Sequence, residues 1–208
     1  VIGTWGGLLI VQMLIRQTLG LTALGNFNAA YLVTETSLMI LTASFRAHLL
    51  PEIARLETDK DKQAFIHQSV FTYLCLAILG CTVLSLGASW IVPLLFTNKF
   101  TESVQLLKIM PLALMGFVFS WTYNTFLLHL GKHRQFVALD CVSMAAYVAL
   151  VFLNQQTGIS IGWCYALFGL IAGMIYLTFV AYKLGAQWIS IKNLAVGLLG
   201  IAWLVALS

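Results

Sequence analysis

A glutamate stands inside the apolar run NFNAAYLVTETSLMILTASFR, residues 26–46, and an arginine closes it. Glu35 lies too deep and is too short to reach water. A charge at the centre of an isolated membrane helix costs about 2.5–3.5 kcal/mol on insertion scales, so the carboxylate should face a buried partner or a hydrated cavity. At 100° per residue, Asn28, Tyr31, Glu35, Thr42 and Arg46 fall within an arc of roughly 60°, a polar stripe on one helix face. The preceding helix repeats the pattern more weakly with Trp5, Gln12 and Arg16, and two such stripes could share one aqueous cavity. A carboxylate there can bind a proton or cation, and an arginine can fork onto paired anionic oxygens. The plainer alternative for Arg16 and Arg46 is snorkelling into headgroups from near the helix ends. At 1.5 Å per residue Glu35 and Arg46 stand about 16 Å apart along the axis, too far for an ion pair. Glu35 is therefore expected to pair with Arg16 or with a basic residue from outside this chain, and Arg46 with an anion, an acid or water.

Weaker candidates follow. Asp140 lies about two turns into a later helix, where an ion pair with Lys132 or Arg134 is the structural alternative to a ligand contact. Asn124 suits an interhelical hydrogen bond as well as a ligand. Tyr73, Tyr123, Tyr147 and Trp121 could line a sugar-binding cavity or serve only as packing and interfacial belt. His129 and His133 can share a helix face, but Gly131 lies between them and no third ligand is evident, so no metal site is expected. Cys75, Cys81, Cys141 and Cys164 all fall in apolar runs without metal-like spacing and read as small buried hydrophobes. The triplet DKD at Asp59–Asp61 mimics the D-x-D signature of sugar transferases. A loop of a dozen residues has no domain to hold a nucleotide, and no His stands five residues before an Asp, as H-x-x-x-x-D acyltransferases require.

These residues need elements that hold them inside a bilayer. Of 208 residues 61% are hydrophobic and 9% charged, against about 25% charged in an average soluble domain. A bilayer core about 30 Å thick takes roughly 20 apolar residues per helix. Seven helices are expected, at about 1–19, 25–50, 64–92, 104–130, 134–154, 158–182 and from 193 onward. Pro51 is expected to stop the second, with PEIARLETDKDK following as a loop. The fold class is thus all-α, a polytopic membrane bundle. Nothing at the start resembles a signal peptide, and both ends fall in apolar runs, so the chain is expected to be part of a longer protein.

Basic residues orient the bundle, since short Lys/Arg-rich loops stay cytoplasmic. Arg55, Lys60, Lys62, Lys132, Arg134, Lys183 and Lys192 cluster in the second, fourth and sixth connections. Those loops are expected on the cytoplasmic side, with Trp188 in a short interfacial segment on the same face. The net charge of +4 then reflects topology and implies no nucleic-acid partner.

At this point the residues resemble the bacterial flippases for lipid-linked oligosaccharides, which include the O-antigen and enterobacterial common antigen transporters. The resemblance runs from about Arg16 to Gly185. It rests on LGNFNAA with an acid ten residues after Gly25, on TASFRAHLLPEIARL, on LLFTNKFT, and on a helix ending in LGKHRQF. It implies two six-helix lobes around a central cavity, as in the wider superfamily of multidrug and peptidoglycan-precursor exporters. This chain looks like the C-terminal lobe, residues 1–208 forming one transmembrane domain with a six-helix bundle over about 1–182. The extra helix from 193 departs from twelve-helix members and suggests a fourteen-helix relative. Arg16 matches a basic residue that often ends the seventh helix of the family and Glu35 an acidic position in the eighth, while Arg46 falls where relatives carry a small polar residue. The implied activity is alternating-access translocation of polyprenyl-pyrophosphate-linked oligosaccharide, with no bond made or broken, in the bacterial inner membrane. The implied partners are that lipid substrate, the bilayer, and polysaccharide polymerase and chain-length proteins. Coupling to a proton or sodium gradient stands in place of a cofactor. A cation-coupled multidrug exporter of the same fold is the first rival, and a membrane-embedded enzyme of polysaccharide assembly the second.

Overall fold

The computed structural model describes residues 2–97, 100–158 and 160–207, with side chains left out at 2–5, 44–46, 50 and 155–157. The described residues form helices joined by short connections, with no strand among them. In chain order these are α1 (Ile2–Arg55), α2 (Asp59–Leu95), α3 (Thr101–Ile109), a 3-10 turn (Met110–Leu112), α4 (Ala113–His129), α5 (His133–Thr157), α6 (Ile161–Leu184), a second 3-10 turn (Ala186–Trp188) and α7 (Ile191–Leu207).

Helix α1 is two limbs, 2–19 and 21–55, broken at Gly20, whose φ of 87° and ψ of 177° are non-helical. That region of backbone space is essentially restricted to glycine. The Gln12 amide donates to Asn28 Oδ1 at 3.1 Å. Sixteen residues along a straight helix would span about 24 Å, so the limbs fold back on each other as a hairpin. The turn expected over 20–24 is compressed into one residue.

Pro51 does not stop the second limb, which runs on to Arg55. Within a turn of a helix end a proline removes a single ladder bond, and Pro93 sits the same way near the end of α2. The expected loop shrinks to residues 56–58. Thr58 caps α2: its Oγ1 accepts from the Asp61 N–H at 3.1 Å and donates to Asp61 Oδ2 at 2.6 Å. The DKD triplet is thus the first turn of α2, held by its N-cap. The expected fourth helix is interrupted at Pro111, where a 3-10 turn joins α3 to α4. Around that break Ser85 Oγ donates to the Lys108 carbonyl at 2.9 Å and Cys81 Sγ to the Pro111 carbonyl at 3.0 Å, so α2 satisfies backbone groups that lipid could not.

Five helices, with α1 taken as one and α3–α4 as one, are long and apolar enough to cross a membrane, and the α1 hairpin supplies two limbs; α7, at 17 residues, is a shorter apolar helix. Helix α4 is the centre, with nearly every residue buried. It meets α6 through small residues. A Cβ added at Gly116 would collide with the Gly169 carbonyl, one at Gly169 would lie 2.5 Å from Ala113 Cα, and one at Gly173 would lie 2.7 Å from the Gly116 carbonyl. Such close approach is how membrane helices gain packing without a hydrophobic driving force. Leu79, Leu86, Trp90, Leu94, Leu198 and Leu199 point outward, as a lipid-facing surface requires.

Trp188 lies in a short 3-10 segment and packs inward, its ring 4.6 Å from that of Phe126 and its carbonyl accepting from the Tyr123 hydroxyl at 2.8 Å. One expectation is corrected in the packing. Cys81 and Cys164 are buried, whereas Cys75 and Cys141 are exposed, facing outward from α2 and α5.

Candidate functional site

The second limb of α1 presents Tyr31 and Glu35 to a cavity of about 280 Å³. Leu8 of the first limb closes one edge. Phe117, Ser120, Trp121 and Asn124 enter from α4, Phe136, Asp140, Ser143, Met144 and Tyr147 from α5, and Tyr165, Phe168, Ala172 and Tyr176 from α6. The α6 residues recur at helical spacing, so one face of that helix makes a continuous wall.

Two carboxylates from other helices meet this wall, Glu35 of α1 and Asp140 of α5, each held by an α6 phenol. Tyr165 donates to Glu35 Oε2 at 3.4 Å, and Tyr176 to Asp140 Oδ1 at 2.8 Å. Eleven residues separate the two tyrosines, about 16 Å along α6. The Glu35 end is aromatic. Tyr31 and Tyr165 meet edge to face at 5.8 Å, Tyr147 stacks on Phe168 at 4.5 Å, and Phe117 stacks on Trp121 at 5.4 Å. The Tyr147 hydroxyl is buried with no hydrogen-bond partner among the described residues. No Arg, Lys or His is among the described residues that line the cavity. Carboxylates, an amide and aromatic faces are suited to polyhydroxylated rings and to organic cations.

The stripe read from the sequence divides. Tyr31 and Glu35 line the cavity; Asn28 turns to Gln12 across the α1 hairpin, and Thr42 Oγ1 donates back to the Leu38 carbonyl of its own helix. Arg16 is exposed on the first limb and does not line the cavity. The partner of Glu35 here is therefore Tyr165, not Arg16. The side chains of Arg46 and Trp5 lie outside the described residues. Asn124 and Asp140 join the site, Asp140 through Tyr176. Among the aromatic candidates Tyr147 and Trp121 line the cavity; Tyr123 is tied to Trp188, and Tyr73 does not reach it. Tyr165, Phe168 and Tyr176 were not singled out by sequence reasoning. Their spacing on one face of IGWCYALFGLIAGMIYLTFV is the signal that would have found them.

Residues 9–105, a little under half of the chain, match the model of a family described as polysaccharide biosynthesis protein. The matched stretch holds Tyr31 and Glu35 but not the α4, α5 and α6 walls. No curated protein and no solved structure matches the chain.

Proposed function

We propose that the chain is a lobe of a flippase that carries polyprenyl-pyrophosphate-linked oligosaccharide across the bacterial cytoplasmic membrane for surface polysaccharide assembly. The observation that carries this reading is Glu35, a carboxylate within the bundle that ends in a cavity walled by aromatic rings and a second acid. The similarity to a polysaccharide biosynthesis family over residues 9–105 supports the substrate class. Part of the saccharide headgroup would occupy this cavity while the prenyl tail stays in lipid, and rocking against the other lobe would expose the cavity to each side in turn. The chemistry is binding and release, so the residues act as hydrogen-bond partners and no bond is made or broken.

A second reading is supported by the same acids and aromatic faces, which also suit lipophilic cations: a cation-coupled multidrug exporter of the same architecture. Deletion of the full-length protein separates the two. The flippase reading expects surface polysaccharide to be lost, lipid-linked precursor to accumulate on the cytoplasmic leaflet, and sensitivity to cationic dyes to stay unchanged. Intact surface polysaccharide together with heightened sensitivity to such dyes would replace it with the exporter reading.

A further inference from the structure

We propose that the Glu35 end of the cavity is a subsite for one uncharged or amino-bearing sugar ring, and that it rejects acidic sugars and the pyrophosphate. The inference rests on the transport reading and specifies which part of the substrate this wall takes. Three observations converge on it.

The first is the setting of the carboxylate. Glu35 accepts from Tyr165 and has no ion-pair partner among the described residues. A carboxylate so placed can accept from two neighbouring hydroxyls or from an ammonium group. A uronate or phosphate would instead set a like charge beside it in a poorly solvated site.

The second is Tyr147. It is 1% exposed, lines the cavity, and its hydroxyl has no hydrogen-bond partner among the described residues. Buried polar groups are nearly always paired, so an orphan on a cavity wall calls for a ligand group. A ring entering the cavity that Tyr147 lines would have to displace neighbouring side chains to reach this buried hydroxyl, and would then supply the missing partner.

The third is shape. Tyr147 stacks on Phe168 and Phe117 on Trp121; Trp121, the partly exposed ring of the four, can offer a flat face to the C–H side of a sugar while the polar atoms meet its hydroxyls. The cavity, about 280 Å³, falls just below the range of roughly 300–1,000 Å³ typical of small-molecule sites. That is room for one ring, not for a whole headgroup.

The test uses the purified full-length protein in lipid nanodiscs, with glucosamine, N-acetylglucosamine and glucuronate as probes and saturation-transfer NMR as the readout. The first two rings should bind, and glucuronate at least about tenfold more weakly. Glu35→Gln should abolish that discrimination. Tyr147→Phe should weaken the uncharged ring about tenfold, the value of one hydrogen bond, yet raise thermal stability, because it removes the orphan hydroxyl. A merely structural tyrosine would show the second effect without the first. Glucuronate binding as tightly as the other rings, no binding of either favoured ring, an unchanged preference in Glu35→Gln, or full affinity in Tyr147→Phe would each overturn the subsite. Reconstituted translocation of lipid-linked sugar keeps the two conclusions apart. Ring binding without translocation would sink the flippase reading alone, and translocation without ring discrimination would sink the subsite alone.

Discussion

Among the described residues Glu35 and Asp140 are the two acids that line the cavity, and Glu35 is committed to the bundle interior by its position far from either end of the second limb of α1. Its hydrogen bond comes from Tyr165, 130 residues away in sequence. Glu35→Gln keeps an acceptor oxygen for that phenol and removes only the charge, so the variant should reach the membrane at normal levels while surface polysaccharide falls. Glu35→Leu also strands the Tyr165 hydroxyl, at a cost of about 1–3 kcal/mol for an unpaired buried donor, and should reduce surface polysaccharide as much or more. Immunoblots of membrane fractions beside polysaccharide gels measure both quantities. Full polysaccharide at normal protein levels in both variants would make the stripe structural.

At the scale of elements, the cavity depends on how closely α4 and α6 approach, because both supply its wall. Gly169→Ala would press a methyl group against Ala113 backbone and side chain. Overpacking typically costs about 1–3 kcal/mol, and backbone cannot swing aside as a flexible side chain can, so the upper end of that range is expected. Gly80→Ala is the control: nothing lies within 4 Å of its added Cβ, and alanine is the better helix former. Thermal aggregation of the detergent-solubilised protein should therefore begin at lower temperature for Gly169→Ala and at the same or higher temperature for Gly80→Ala. Gly20→Ala tests the hairpin in the same assay. Its φ of 87° would strain any L side chain, by about 1–3 kcal/mol, although no neighbour obstructs the methyl.

For the whole molecule the matter is orientation. The connections 56–58, 130–132 and 185–190 lie at one end of alternating helices, and Arg55, Lys60, Lys62, Lys132, Arg134, Lys183 and Lys192 all fall at or near them. The positive-inside rule predicts that this end is cytoplasmic. In a variant without the four native cysteines, single cysteines at Thr58 and Gln135 should react with a membrane-impermeant maleimide only after permeabilisation, and one at Ser160 in intact cells. Labelling of position 58 in intact cells would invert the bundle, and with it the side from which the Asp140 end of the cavity is approached.

Membrane class, the approximate helices and the face bearing Glu35 were legible because their physics is local. Apolar run length must match bilayer thickness, and a 100° step assigns each residue to a face without reference to any other helix. The same locality misled at Pro51, where the cost of a proline depends on how much helix follows it; at DKD the sequence argued against a transferase signature, and the structure adds that the triplet is the first turn of α2, capped by Thr58. Tertiary structure decided what covers the stripe. It set Tyr165 rather than Arg16 against Glu35, joined Asp140 to Tyr176 across two helices, and turned Asn28 away to Gln12 at the fold of the hairpin. A helix sequence shows which face must be hidden from lipid. The partner that hides it is selected by the backbone approach of other helices, here the glycine contacts of α4 with α6, and those contacts couple residues too distant in the chain for any periodicity to connect.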